Sequence, residues 1–177
     1  MKRLRNSLNL RRRRNARRDA ARLTEYLEDR RLLTLAFDFN YAGAVGTRVG
    51  FEDAVNGQAR RDALEAAAEQ FGQQFADDAT ITVDVSSIED SGSWLKLSVD
   101  SGLLDTGATF GGIEVVRNKI LNDTDLNGAG ADATLNANFG IDWELSADPS
   151  DVSGSEYDFY SAVLHELTHV VGSNATP

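Results

Sequence analysis

Two histidines lie four residues apart near the C-terminal end of the sequence, in the segment His165-Glu166-Leu167-Thr168-His169. On a helix, side chains at this spacing lie one above the other on the same face, so both imidazoles can reach one metal ion. Zinc binds imidazole nitrogens at about 2.0–2.1 Å and keeps a water where protein ligands leave a gap. The segment therefore predicts a zinc site with His165 and His169 as ligands.

Glu166 directly follows the first histidine, which lets its carboxylate reach a water beside the metal rather than the metal itself. As general base, Glu166 would take the proton when that zinc-activated water attacks a peptide carbonyl. The alternative is that both histidines are ordinary helix residues, exposed or satisfied in the core. Against this alternative, the sequence contains two histidines and no cysteine, and the motif uses both histidines.

A helix must present these side chains, and the flanking residues predict one. Asp158 is a suitable N-cap, and Gly172 is a suitable C-terminal stop. Between them, apolar residues flank the motif and can bury the backbone of the site. These residues are Phe159, Ala162, Val163, Leu167, Val170 and Val171.

Upstream of this helix, the hydrophobic periodicity predicts an α+β fold. Alternation of apolar and polar residues predicts strands over 35–41, 80–85 and 94–99. A helix is expected over 58–76 and a short one within 111–122. The segment 134–145 is expected to form one or two strands that break near Gly140.

Residues 158–172, with the sequence DFYSAVLHELTHVVG, resemble the active-site helix of metzincin-like peptidases, whose motif is His-Glu-x-x-His-x-x-Gly. The resemblance implies that His165 and His169 bind zinc, that Glu166 is the general base, and that Gly172 turns the chain towards a third ligand. It also implies a zincin-like N-terminal subdomain that consists of a mixed twisted sheet with a backing helix over 58–76 and the active-site helix. Residues 142–144 would lie near the edge strand against which an extended substrate pairs.

The sequence departs from that family after the helix. The commonest metzincin pattern places a third histidine at position 175, which is Ala175 here, and residues 173–177 contain no Glu for a gluzincin-like site. A leishmanolysin-like arrangement would need a histidine further downstream. We therefore expect residues 35–177 to be the upper half of a peptidase domain, incomplete at the C-terminal end. We also expect the helix face around Val163, Leu167 and Val170 to be partly uncovered.

A second metal motif is present at residues 123–134. Asp123, Asp125, Asn127 and the following glycine match the first six positions of an EF-hand-type calcium loop. Position twelve, which should be a bidentate Glu, is Thr134, and Asp132 falls at position ten. Such clusters of Asp, Asn and Gly also form plain turns, so both interpretations remain open.

The charge distribution separates the first residues from the rest. Residues 1–31 contain 12 Lys and Arg against 4 acids, whereas residues 32–177 contain 6 basic and 24 acidic residues. The acidic body argues against nucleic acid as a partner, and no stretch approaches the roughly 20 apolar residues of a membrane span. The absence of cysteine excludes disulfides and thiolate metal sites.

The basic segment 1–34 has three interpretations: a disordered solvated arm, a nucleic-acid-binding arm, or a targeting segment. Its stretch Leu27-Glu28-Asp29-Arg30-Arg31-Leu32-Leu33 resembles the Leu-Glu-x-Arg-x-Leu-Leu targeting segment of surface and secreted proteins from planctomycete-type bacteria. That resemblance implies a secreted or cell-surface protein.

Together these features predict a zinc-dependent endopeptidase that acts on protein or peptide substrates. The alternative is a catalytically inactive extracellular or surface binding module that retains the peptidase fold.

The targeting interpretation predicts that deletion of residues 1–34 abolishes export from the native host while residues 35–177 still fold. Circular dichroism of the truncated protein would measure folding, and immunodetection in cell and medium fractions would measure export. A truncated protein that still leaves the cell would contradict a targeting role.

Overall fold

The computed structural model describes residues 34–92, 97–101 and 114–172, which all belong to one compact unit. The predicted basic targeting segment over 1–34 lies outside these residues except for Thr34. The strands are β1 (Ala36–Tyr41), β2 (Thr80–Ile88), β3 (Leu97–Ser101), β4 (Ala133–Asn138), β5 (Trp143–Glu144) and β6 (Tyr157–Asp158). The helices are α1 (Gly57–Gly72), α2 (Glu114–Asn122) and α3 (Phe159–Val170), with short 3₁₀ turns at Gly50–Glu52 and Pro149–Asp151. The predicted α+β class is confirmed.

The main sheet is mixed, with the strand order β1-β2-β4-β3. Strands β1, β2 and β4 are parallel, and β3 pairs antiparallel with β4 at the edge. Alternation in β2 buries Ile81, Val83 and Val85 on one face and leaves Asp84 exposed on the other. Burial on one face requires that helices cover that face.

Helices α1 and α3 contact each other, and both contribute side chains to the hydrophobic core. The hydroxyl of Tyr160 in α3 donates a hydrogen bond to the side chain of Gln70 in α1. At the N-terminal end of α3, the ring of Phe159 contacts the rings of Phe51, Phe139 and Trp143. These contacts fix the position of α3.

The expectation that Val163, Leu167 and Val170 would be partly uncovered is wrong. All three side chains are 0% exposed. Helix α1 and strand β3 contact α3 and supply the covering surface. The apolar face of the helix is therefore buried.

Helix α1 ends four residues earlier than the expected boundary at position 76. At Gly72 it meets the backbone of Leu35, where a Cβ atom would lie 1.9 Å from the carbonyl oxygen. The chain then forms a tight turn, in which the Phe75 N–H donates a hydrogen bond to the carbonyl of Gly72 at 3.1 Å. Close packing of this turn on the start of β1 ends the helix.

Other boundaries agree more closely. Helix α2 confirms the short helix expected within 111–122, although residues 111–113 lie outside the described ranges. The break at Gly140 separates β4 from β5, as expected. Strand β3 begins at Leu97, and the earlier residues of that predicted strand, 94–96, also lie outside the described ranges. Within the described ranges, no helix has the length and apolar character to cross a bilayer.

Replacement of Gly72 by Ala is predicted to destabilise the fold by about 1–3 kcal/mol, because the added methyl overlaps a backbone oxygen that cannot easily move. Gly130→Ala is the matched control, since its Cβ would meet the nearest atom at 3.4 Å, an ordinary contact. Urea unfolding of both variants would measure the difference. Equal stability of the two variants would contradict the close approach at Gly72.

Candidate metal centre

The two histidines lie on the face of α3 that points away from the core. In a helix of about 3.6 residues per turn, positions 165 and 169 fall roughly opposite the buried residues Val163 and Leu167. His165 is exposed and His169 is half-buried. The burial pattern of α3 thus places both imidazoles on the outer surface of the unit.

The imidazoles converge through the same ring nitrogen. The Nε2 atoms of His165 and His169 are 3.2 Å apart, and the ring centroids are 4.8 Å apart. Two nitrogens at this separation, each about 2.0–2.1 Å from a zinc ion, would subtend an angle of about 100° at that ion. This value is close to the tetrahedral angle, so the pair fits zinc.

Local interactions hold the helix that carries this pair. The Asp158 carboxylate accepts a hydrogen bond from the backbone N–H of Ser161 at 2.9 Å, which confirms the predicted N-cap. At the other end, Gly172 adopts a φ of +101°, in a range that favours glycine, and its N–H donates to the carbonyl of His169 at 3.1 Å. The predicted stop at Gly172 is therefore confirmed.

Glu166 is half-buried and lies between the histidine face and the buried face of α3. A step of one residue rotates the side-chain direction by about 100°, so Glu166 flanks the histidine pair instead of extending it.

No third His, Asp or Glu joins the pair within residues 34–92, 97–101 and 114–172. Trp143 and Glu144, which were expected near the substrate-binding edge, pair instead with Tyr157 and Asp158 in a separate two-stranded sheet. The terminal strand of the main sheet that contacts α3 is β3. Sequence periodicity indicated a strand in this region but gave no sign that it would be the edge beside the histidine helix.

The predicted calcium loop is folded as a turn around a lysine. The Asp125 carboxylate accepts hydrogen bonds from the backbone N–H groups of Asn127 and Gly128, at 3.2 and 2.8 Å. The Asn127 side-chain amide donates to the carbonyls of Gly130 and Ala131. These bonds support the plain-turn interpretation that the sequence left open.

Lys119, near the end of helix α2, provides a positive charge beside this loop. Its Nζ lies 2.8 Å from a carboxylate oxygen of Asp132, which is 0% exposed, and 3.3 Å from one of Asp125. Burial opposes the charge of Lys119, but the hydrogen bonds and charges of the two aspartates outweigh it and raise the pKa of the lysine. Asp123, by contrast, is exposed, with a φ of +50°. The geometry does not gather the four predicted oxygen ligands around a vacant position.

The sequence interpretation missed Lys119. A signal was present, because Arg117 and Lys119 are the only Arg and Lys residues after position 96 and both precede the acidic loop closely.

Comparison with known proteins gives no family assignment. No protein-family model, curated protein or solved structure matches the chain. The function must therefore be inferred from the chemistry and geometry of the residues described above.

Lys119→Met is predicted to destabilise the fold by roughly 3 kcal/mol, because it leaves the buried Asp132 carboxylate without its cation. Arg117→Met is the matched control, since Arg117 is an exposed cation on the same helix. Thermal and urea unfolding, with and without calcium, would measure both effects. An increase in wild-type stability on addition of calcium would contradict the turn interpretation.

Proposed function

We propose that this protein is a zinc-dependent endopeptidase with His165 and His169 as metal ligands and Glu166 as general base. The observation that carries the proposal is the 3.2 Å separation of the two Nε2 atoms on one exposed helix face. The adjacent position of Glu166 adds the base that peptide hydrolysis requires.

The roles of the side chains follow from their placement. His165 and His169 would hold the ion through their Nε2 atoms. When bound, zinc acts as a Lewis acid that polarises the peptide carbonyl and lowers the pKa of a nearby water. Glu166 would accept a proton from the attacking water and then donate it to the leaving amine nitrogen.

Strand β3 is the best candidate to hold the substrate. Among the described residues it is one of the two terminal strands of the main sheet and contacts α3, so the backbone groups on its outer edge could pair with an extended peptide. This pairing would align a peptide along the helix that carries the histidines. It replaces the expectation that residues 142–144 mark the substrate edge.

A second candidate function is that of a non-catalytic binding module with the same fold. It is favoured by one observation, the absence of a third metal ligand among the described residues. The two candidates differ in what they predict for zinc binding and hydrolysis.

Zinc is predicted to bind the chain with no better than roughly micromolar affinity and without measurable proteolysis, because two protein ligands are fewer than the three or four of stable sites. His165→Ala and His169→Ala should each remove this binding, whereas Thr168→Ala, on the same helix, should not. Isothermal titration and a fluorogenic peptide assay would measure these properties. Unchanged zinc affinity in both histidine variants would place the metal elsewhere.

The role of Glu166 requires a completed site, which Ala175→His would supply at the spacing of the commonest metzincin pattern. We expect this substitution to raise zinc affinity at least roughly tenfold, about 1.4 kcal/mol, and to permit peptide hydrolysis. Adding Glu166→Gln should preserve the zinc affinity and abolish hydrolysis, because only the base is lost. Hydrolysis at an equal rate in the double variant would show that another group is the base. Zinc binding without hydrolysis in the Ala175→His protein would favour the binding module.

A further inference from the structure

We infer that a groove between strand β1 and helix α1 binds an extended peptide segment of another protein, with a basic side chain of that segment in the groove. The groove has a volume of about 250 Å³, and its lining includes Phe37 and Phe39 of β1 and Glu65 and Glu69 of α1. Because neither histidine of α3 takes part, this inference is independent of the proposed zinc site.

The first observation is the free edge of β1. Among the described residues, β1 is a terminal strand of the main sheet and pairs with β2 alone. The backbone N–H of Ala36 donates to a carbonyl on the β2 side, whereas the N–H of Leu35 donates the other way, to the carbonyl of Gly72. Backbone groups alternate along a strand in this manner, so those of Phe37 and Phe39 face away from β2. An extended peptide can pair with them.

The second observation is the apolar floor of the groove. The side chains of Phe37 and Phe39 are half-buried on one face of β1, and their stacked rings have centroids 6.3 Å apart. The groove is smaller than the roughly 300–1,000 Å³ of small-molecule sites, so its volume suits one long side chain of a larger partner. Lys and Arg place their aliphatic stems on apolar surface of this kind and are attracted to aromatic rings.

The third observation is the charge at the rim of the groove. Glu65 and Glu69 lie one helical turn apart on α1, and both are exposed. Within the described ranges, no Lys or Arg forms an ion pair with either carboxylate. The Tyr41 hydroxyl donates to Glu65 at 3.1 Å, and burial together with this carboxylate raises the pKa of Tyr41. The tyrosine therefore stays neutral, and the rim keeps two negative charges for a basic partner.

These observations define the chemistry of the partner. The free edge requires an extended backbone, and the apolar floor with its acidic rim selects Lys or Arg at the position that enters the groove. Nucleic acid does not fit, because the two carboxylates repel phosphates. In the strand order β1-β2-β4-β3, β1 and β3 are at opposite ends of the main sheet. A protein bound at β1 therefore leaves β3 free for a substrate.

Titration of the full chain with a synthetic peptide of alternating valine and lysine, about eight residues long, tests this inference. We expect binding at physiological salt, and binding at least roughly tenfold weaker when glutamate replaces lysine in the peptide. The combination of Glu65→Gln and Glu69→Gln should weaken binding of the lysine peptide at least roughly fivefold. The matched control combines Asp38→Asn and Asp84→Asn, which removes the same charge from the opposite, exposed face of β1 and β2. It should change the affinity by less than roughly twofold.

Hydrogen–deuterium exchange, followed by NMR, tests the strand pairing separately. The amide protons of Phe37 and Phe39 should exchange rapidly in the free protein and at least roughly tenfold more slowly with the lysine peptide bound. Slow exchange without peptide would show that another part of the chain or a second copy already covers this edge, and would overturn the inference. So would binding that leaves the exchange rates unchanged.

The titration also has outcomes that contradict the inference. Failure of the lysine peptide to bind removes the site altogether. Equal binding of the glutamate peptide shows that the acidic rim does not select the partner. An equal loss of affinity in the control variant shows that the peptide responds to the general negative charge of the protein and not to this groove.

Discussion

The burial of one face of α3 against α1 and β3 determines what the other face can do. Val163, Leu167 and Val170 are completely buried, and each such side chain stabilises the fold by about 1.5–3 kcal/mol. A rotation of the helix that turned the histidines inward would expose all three. The outward direction of His165 and His169 is therefore a consequence of core packing, and no interaction of the histidines themselves is needed to maintain it.

Further contacts fix the two ends of that helix. The aromatic rings around Phe159 and the carboxylate of Asp158 fix its first turn, and Gly172 ends it. The Lys119–Asp132 pair stabilises a different part of the molecule. Asp132 also accepts a hydrogen bond from the backbone N–H of Thr82, which joins the loop before β4 to β2. The acidic loop thus joins elements of the fold, whereas the histidine pair lies on the outer side of α3.

Periodicity in the sequence predicted most elements because each has a clear local pattern. The alternation in β2, the apolar face of α3 and the capping residues Asp158 and Gly172 are all local signals. Features that depend on tertiary contacts could not be predicted in this way. The early end of α1 depends on the approach of Leu35 to Gly72, and the complete cover of Val163 depends on β3, which is distant in sequence. The loop at Asp125 also depends on a tertiary contact. Its sequence showed a pattern of calcium ligands, but it did not show that Lys119 would contact Asp125.

The central claim is that both imidazoles bind one zinc ion through Nε2. Long-range ¹H–¹⁵N NMR spectra of protein labelled with ¹⁵N-histidine would test it most directly, because they resolve the two nitrogens of each ring. On addition of zinc, we predict that the Nε2 resonances of His165 and His169 shift together while both Nδ1 atoms retain their protons. A shift at one histidine alone, coordination through Nδ1, or unchanged spectra would contradict the account.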